Sequence, residues 1–258
     1  MLLISRSDCI RCCFDSKPQP ASKFDSDELE VFYAETKDLT SKYYDLKSYI
    51  NNKEKLRADK FQFDNDRETY ISCHALLRLI LAKKLNSNPL ELSFINGINN
   101  KPGLTGNPIY FNISHTRESF AIAISKNLSV GIDLENINLN LNIHSIMKNY
   151  FSNTEREFIL SADSETVDRF ILLWTRKEAL LKALGTGILN NLAGIEVSGK
   201  KNYIDNKSFD SLAADDAFYE LFIYSKKLIN SYLSVAIPEK ASINIYQLNS
   251  ENISSYLV

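Results

Sequence analysis

Val130-Gly131-Ile132-Asp133-Leu134-Glu135 is the stretch of this 258-residue sequence that says most about the fold. It predicts a β-strand in which apolar residues alternate with Asp133 and Glu135, after a glycine that permits close approach of another backbone. Side chains two residues apart on a strand point to the same face, so the two carboxylates lie roughly 7 Å apart. They can therefore converge on one cation through oxygen contacts of about 2.1 Å, the distance that Mg²⁺ requires.

A second stretch, Trp174-Thr175-Arg176-Lys177-Glu178-Ala179-Leu180-Leu181-Lys182, predicts a helical segment. Glu178 and Lys182 stand four residues apart, which places them on one face of the helix about 6 Å apart along its axis. Taken singly, an acid pair at a strand end or a Glu–Lys pair on a helix is usually a solvated surface feature. Together, three acids and one lysine suit phosphate chemistry with a divalent metal ion.

Composition and charge exclude several classes of protein. The chain is 44% hydrophobic and 24% charged, which is typical of a globular protein, and its net charge of −2 does not favour nucleic acid as a partner. Its apolar runs are too short to span a membrane, and charged residues interrupt the N-terminal segment where a signal peptide would lie. We therefore predict a cytoplasmic protein with no membrane partner, whose four cysteines are reduced.

Hydrophobic periodicity divides the chain into three parts. Residues 1–27 predict an extension with little regular structure, and residues 28–131 and 132–258 predict two α+β halves. Ser152-x-x-Glu155 predicts a capping box at a helix start. Each half contains a long helix and alternating strands, a weak internal echo that suggests duplication. The predicted long helices are 66–85 and 164–184, and the principal strands are 28–35, 119–125, 129–135, 193–198, 217–224, 232–237 and 243–247.

Five motifs, in this order, resemble those of the Sfp-type phosphopantetheinyl transferases, and the resemblance runs from about residue 29 to the C-terminus. The resemblance implies an α+β fold of two similar subdomains related by a pseudo-twofold axis, each a long helix on a small antiparallel sheet, with the active site between them. It also implies transfer of the phosphopantetheine arm of coenzyme A to a serine of an apo acyl or peptidyl carrier protein, releasing adenosine bisphosphate. The motifs are Lys101-Pro102, Asn112-Ile113-Ser114-His115, Gly131-Ile132-Asp133-Leu134-Glu135, Phe151-Ser152-x-x-Glu155 and Trp174-x-x-Lys177-Glu178-x-x-x-Lys182-x-x-Gly185-x-Gly187.

The resemblance also implies roles for individual residues. Asp133, Glu135 and Glu178 are the implied ligands of Mg²⁺ beside the pyrophosphate of the coenzyme. Glu178 is in addition the implied base, acting directly or through a water, and Lys182 stabilises or protonates the departing phosphate. The implied coenzyme contacts are Arg57, Lys101, Ser114, His115 and Lys182.

One departure and two alternatives accompany this interpretation. Where the family often has a phosphate-binding arginine near the start of the first long helix, this chain has Thr69, with Arg67 as a substitute two positions earlier. The first alternative is a metal-dependent phosphodiesterase or nuclease, although the usual nuclease signature spaces its Glu and Lys by two rather than four. The second is a non-catalytic binder of carrier proteins. A chain with two fused halves needs no partner to complete its cleft, so we predict a monomer.

Overall fold

The fold consists of six α-helices and eleven strands, seen in a computed structural model that describes residues 10–12, 28–106, 109–138, 142–187, 192–199, 201–204 and 219–257. The helices are α1 (Tyr43–Lys47), α2 (Asn52–Ala58), α3 (Asp64–Leu85), α4 (Ile143–Tyr150), α5 (Asn153–Leu160) and α6 (Thr166–Leu184). The strands are β1 (Ile10–Cys12), β2 (Glu28–Glu35), β3 (Phe94–Asn96), β4 (Pro102–Leu104), β5 (Tyr110–His115), β6 (Ser119–Ser125), β7 (Gly131–Asn136), β8 (Lys201–Ile204), β9 (Tyr219–Lys227), β10 (Ser231–Ile237) and β11 (Ser242–Gln247).

Two sheets pack face to face, and one long helix covers the outer face of each. The first sheet has the strand order β1-β11-β2-β6-β5 and the second has the order β7-β10-β9-β8, while β3 and β4 form a separate pair. Helix α3 buries its apolar side chains against the first sheet, and α6 does the same against the second. A third apolar cluster fills the space between the sheets. This architecture confirms the predicted α+β fold with a long helix in each half.

The side chains of β6 show how the sequence produces these layers. Every residue of this strand is buried, because a central strand between a helix and another sheet has no solvated face. The bulky side chains of Phe120, Ile122 and Ile124 pack toward α3, whereas the small side chains of Ala121 and Ala123 belong to the cluster between the sheets. Large residues thus anchor the helix, and alanines let the two sheets come close.

Strand β11 departs from the predicted arrangement. It follows β10 of the second sheet in the chain but pairs in parallel with β2 of the first, so the first sheet is mixed rather than antiparallel. Burial of Ile243 and Ile245 between the sheets explains the crossing, because the edge of β2 offers both backbone partners and apolar cover. The proposed second half, 132–258, therefore contributes β11 to the sheet of the proposed first half, 28–131, and the boundary between them at residue 131 falls at the start of β7.

The described part of the N-terminal extension is a short strand. Residues Ile10–Cys12 form β1, which pairs in parallel with β11 and extends the first sheet. The expectation of little regular structure for residues 1–27 stays a prediction, because the rest of that segment lies outside the described residues. Among the helices that the structure describes, none has the length and apolar character needed to cross a membrane.

Candidate functional site

The candidate site lies where the edge strands of the two sheets adjoin. Strand β5 is the edge strand of the first sheet and β7 is the edge strand of the second. Within the described residues, no strand pairs with β7 on the side that faces β5, and side chains of β5 accept hydrogen bonds from backbone N–H groups there. The Oδ1 atom of Asn112 accepts the N–H of Ile132 at 2.9 Å, and the Oγ atom of Ser114 accepts the N–H of Leu134 at 3.2 Å. Two polar side chains at alternate positions thus join the sheets and satisfy buried donors.

Asp133 is the most enclosed acid of the site, with 3% of its surface exposed. Its Oδ1 accepts a hydrogen bond from the Ser114 hydroxyl at 3.0 Å and from the Lys182 ammonium at 2.7 Å. Its Oδ2 is buried and has no hydrogen-bond partner within the described part of the chain. A buried carboxylate oxygen without a partner is unfavourable, so this atom has a free position for a cation or a donor that arrives with a ligand.

Helix α6 brings Lys182 to Asp133 because the strand beneath it carries a glycine. A Cβ added to Gly131 would lie 2.0 Å from the carbonyl oxygen of Ala179 and 2.2 Å from the amide nitrogen of Ala183. The predicted close backbone approach at Gly131 is therefore confirmed, and its partner is α6. The helix ends as predicted, since Gly185 follows Leu184 with a left-handed φ of 69°.

Gly131→Ala should lower the free energy of unfolding by about 3 kcal/mol, because the new methyl group meets backbone atoms that no rotamer change can move. Denaturant unfolding measures this. Gly103→Ala is the matched control, since its added Cβ finds its nearest neighbour at 3.8 Å and should change stability by less than about 1 kcal/mol. Equal losses in both variants would show that the contact between β7 and α6 is not as close as described.

Glu135 and Glu178 interact electrostatically with Asp133. Burial raises the pKa of Glu135 to about 7, with further contributions from the negative charges of Asp133 and Glu178. Burial and the charge of Asp133 also raise the pKa of Glu178. The three acids are thus close enough to repel one another, and a cation among them would relieve that repulsion.

The acids are not already gathered as a metal cage. Within the ranges that the structure describes, no three Asp, Glu, His or Cys side chains are arranged so that they could hold a metal ion. Lys182 supplies the positive charge beside Asp133 instead. The donor set fits Mg²⁺ chemically, because it offers carboxylate oxygens, mutual repulsion and a buried Oδ2 that lacks a partner.

A cleft of about 260 Å³ opens between the halves beside this group. Lys101, Glu178 and Lys182 are among the residues that line this cleft. The Lys101 ammonium donates to Ser129 Oγ at 2.9 Å, to the Val130 carbonyl at 3.1 Å and to the Ala183 carbonyl at 2.9 Å. Its burial lowers its pKa to about 8. Lys101 therefore joins the start of β7 to the end of α6, a role that the sequence did not indicate.

His115 and Arg57 lie near the packed rings of His74 and Tyr70. Burial lowers the pKa of His115, with further contributions from the neighbouring charges of His74 and Lys182, although part of the His115 side chain stays exposed. The ring of His74 packs on Tyr70 with centroids 4.1 Å apart, and the guanidinium of Arg57 lies 6.0 Å from the centroid of Tyr70. Arg57 is exposed and lies outside the lining of the cleft.

Sequence reasoning did not indicate that His74 lies near His115 and acts on its pKa. His74 sits within an apolar helical pattern, where a histidine is usually structural, and the sequence carries no signal of its neighbour His115. Trp174 packs against Phe151 and Phe170, as predicted for a core residue, and its side chain contributes to lowering the pKa of Glu135 against the larger effect of burial.

Glu155 and Lys177 form a buried ion pair away from the cleft. Their side chains are 0% exposed and 2.8 Å apart. The capping box predicted for Ser152 and Glu155 is confirmed at the start of α5. The ion pair thus links Glu155 of the motif Phe151-Ser152-x-x-Glu155 to Lys177 of α6, and Glu155 and Lys177 both have a structural role.

Comparisons with known proteins agree with this geometry. A profile described as "4'-phosphopantetheinyl transferase superfamily" matches residues 129–222, and one described as "4'-phosphopantetheinyl transferase, N-terminal" matches residues 37–127. The chain is 30% identical over 178 residues to the 4'-phosphopantetheinyl transferase HetI of Nostoc sp., a match that covers 67% of this chain and 75% of that protein.

Two further relatives match over shorter regions. The L-aminoadipate-semialdehyde dehydrogenase-phosphopantetheinyl transferase of Homo sapiens is 31% identical over 160 residues, which are 57% of this chain and 52% of the human protein. The 4'-phosphopantetheinyl transferase AcpT of Salmonella typhi is 32% identical over 110 residues, which are 42% of this chain and 56% of that protein. The chain therefore spans about half the length of these two relatives. The ordered motifs, the fold with a long helix in each half and these matches together show that the chain is a transferase of the 4'-phosphopantetheinyl transferase superfamily.

Proposed function

We propose that this enzyme transfers the 4'-phosphopantetheine arm of coenzyme A to a serine of an apo acyl or peptidyl carrier protein and releases adenosine 3',5'-bisphosphate. The observation that carries the proposal is the meeting of Asp133 and Lys182, 2.7 Å apart, beside a cleft between the two halves. Phosphoryl transfer needs little covalent chemistry from the protein, and mainly requires positioning and charge stabilisation. One acid on a strand and one lysine on the helix that covers the same sheet meet that requirement.

Each step of the transfer needs few protein groups. The hydroxyl oxygen of the carrier serine bonds to the phosphorus that carries the pantetheine arm, and the bond from that phosphorus to the oxygen of the adenosine bisphosphate breaks. The proton of the serine would pass to Glu178, directly or through a water, because a carboxylate within reach of the hydroxyl can act as the general base. Lys182 donates to the phosphate oxygen of the leaving group, a task suited to a compact ammonium with three donors.

Asp133, Glu135 and Glu178 would hold Mg²⁺, and the ion would neutralise the charge that develops on the pyrophosphate. Burial of Asp133 and its Oδ2 without a partner support this assignment. On the coenzyme side, Arg57, Lys101 and His115 stay proposed contacts, whereas the contact that the resemblance implies for Ser114 competes with the bonds of its hydroxyl to Asp133 and Lys182. Lys101 donates to three oxygens of the protein, which uses all the donors of its ammonium, so we expect it to shape the cleft, and a contact with the nucleotide would require it to release one of these oxygens.

Carrier proteins are acidic, so docking on a chain of net charge −2 calls for a local basic or apolar surface. The carrier itself and its pathway stay open among fatty-acid, polyketide and peptide synthesis. We also propose a cytoplasmic monomer.

The deciding experiment is incubation of the protein with coenzyme A, Mg²⁺ and a panel of apo carrier proteins, followed by intact-mass measurement. The proposal expects a mass gain of one phosphopantetheine on the carrier, which disappears when the acceptor serine is replaced by alanine. Binding of carrier without any mass gain would favour the non-catalytic binder. Cleavage of a generic phosphodiester without coenzyme A binding would favour the hydrolase alternative, against which the family membership already argues.

Lys182→Ala should lower kcat by about 10²–10³-fold, the range observed when one group that faces developing charge is removed. Steady-state kinetics with a saturating carrier separate kcat from KM. Lys182→Arg is the matched variant, because it keeps the positive charge but replaces the compact ammonium by a planar guanidinium. An effect confined to KM would instead make Lys182 a contact that binds substrate and transition state equally.

His115→Ala should weaken binding of coenzyme A but not of its analogue that lacks the ribose phosphate. In the free protein the pKa of His115 lies below its usual value, so an anionic phosphate that binds there favours the protonated ring. The preference of the wild type for coenzyme A over the analogue should therefore grow as the pH falls from 8 toward about 6. Calorimetric titrations with both compounds measure this, and unchanged discrimination in His115→Ala would exclude the role.

A further inference from the structure

Ser114 lies in β5 with 6% of its surface exposed, and its hydroxyl is fully engaged. A serine hydroxyl offers one donor and two acceptor positions. The donor serves Asp133 Oδ1 at 3.0 Å, and the acceptor positions receive the Lys182 ammonium at 3.0 Å and the N–H of Leu134 at 3.2 Å. No position is left over for a further ligand.

These bonds join three separate elements. Ser114 belongs to the edge of the first sheet, Asp133 to the edge of the second, and Lys182 to the last turn of α6. Asp133 and Lys182 are themselves 2.7 Å apart, so the three polar groups close a triangle around Asp133 Oδ1. Such a closed arrangement fixes which oxygen of Asp133 is occupied and leaves Oδ2 without a partner.

We propose that Ser114 is a positioning residue for the transfer: its hydroxyl, which belongs to the first half, holds Asp133 and Lys182 of the second half in place, and it does not bind the coenzyme phosphate. This inference rests on the proposed function for the role of Asp133 and Lys182. It differs from the role that the resemblance implies for Ser114, which was contact with the coenzyme. To donate to a phosphate, Ser114 would have to release Asp133, and a buried carboxylate would then lose one of its two partners on Oδ1.

The test compares Ser114→Ala with wild type in kinetics and in binding. We expect kcat to fall about 10- to 100-fold, because a shift of about 1 Å in catalytic groups has effects of that size, while KM for coenzyme A changes less than about threefold. The ratio of affinities for coenzyme A and its analogue without the ribose phosphate should stay as in wild type. Ser114→Thr retains the hydroxyl on a residue that suits a strand, and it should recover much of kcat.

Asn112→Ala supplies the matched control. Asn112 stands two residues earlier on β5 and makes the equivalent bond to β7, accepting the N–H of Ile132, but no hydrogen bond in the described part of the chain links it to Asp133 or Lys182. If Ser114 mattered only by joining the strands, both alanine variants would lose stability and kcat to the same extent. The proposal expects similar losses of stability and a clearly larger loss of kcat for Ser114→Ala.

Two outcomes would overturn the proposal. One is a loss of discrimination between coenzyme A and its analogue in Ser114→Ala, which would make Ser114 a phosphate contact. The other is a kcat for Ser114→Ala equal to that of Asn112→Ala. If wild type itself transfers nothing, the proposed function fails, but the binding titration still decides whether Ser114 contacts the phosphate, so the two failures are distinguishable.

Discussion

Asp133→Ala is expected to lower the rate of transfer at saturating substrate by about 10³-fold or more, while the variant still folds. The substitution removes the oxygen that holds Lys182 and Ser114, and it also removes the buried Oδ2 that we assign to a cation. Both losses act on charge stabilisation, which is the main contribution of the protein to phosphoryl transfer. Intact-mass kinetics on the carrier measure the rate, and circular dichroism verifies the fold.

Asp133→Asn separates the two functions of this side chain. Asparagine still offers an oxygen to Ser114 and Lys182, but it carries no charge and has an amide where Oδ2 stood. If the charge is required, Asp133→Asn should lose nearly as much activity as Asp133→Ala, and direct titration with Mn²⁺ should show weaker binding in both. Activity within a few-fold of wild type in Asp133→Asn would instead mean that Asp133 only holds its neighbours, and the metal assignment would be wrong.

Periodicity was sufficient to predict the parts of the site that lie on one element. The prediction that Asp133 and Glu135 share a strand, and Glu178 and Lys182 a helix, is confirmed by β7 and α6. The long helices predicted at 66–85 and 164–184 begin within two residues of α3 and α6, because sustained apolar spacing defines a helix well. The glycine before the acids indicated a close approach, although the sequence did not say which element would make it.

Hydrophobic periodicity does not predict contacts between separate helices and strands. The triangle of Ser114, Asp133 and Lys182 depends on the edges of two sheets meeting, and no local pattern specifies which edges adjoin. The same holds for β11, whose alternation predicts a strand but not the sheet that it joins. For Lys101, the sequence indicates only a basic residue before a proline. Its three oxygen partners belong to Ser129, Val130 and Ala183, which are distant in the chain.

The predicted strand at 193–198 is wrong for a tertiary reason. In the structure a short 3-10 turn spans Leu192–Gly194, and the residues after it make no strand. Lys177 donates to the carbonyls of Leu192 and Ile195, and Glu155 accepts the N–H of Val197 at 2.9 Å. A strand would need these backbone groups for its ladder, so the buried ion pair takes the place of a neighbouring strand.

Glu155→Ala should therefore lower the free energy of unfolding by about 3–5 kcal/mol, the largest effect on stability that we expect from one substitution in this chain. It leaves the Lys177 ammonium fully buried without its counter-charge, and it removes the acceptor of the Val197 and Ser152 N–H groups. Because the pair lies in the core of the second half and not in the cleft, the folded fraction should keep its affinity for coenzyme A. Equilibrium unfolding in urea and calorimetric titration measure the two quantities.

A double-mutant cycle shows whether the loss comes from the stranded charge. Lys177→Met alone leaves a buried carboxylate that still accepts two backbone N–H groups, so it should be destabilising but less so than Glu155→Ala. In the double variant Glu155→Ala with Lys177→Met neither charge of this pair is left, and its loss should be smaller than the sum of the single losses by about 1–3 kcal/mol. Strictly additive losses would mean that the two side chains stabilise the fold independently, through their backbone partners alone. In that case the joining of the Phe151-Ser152-x-x-Glu155 motif to α6 would depend on the hydrogen bonds of Glu155 to Val197 and Ser152, and not on its charge.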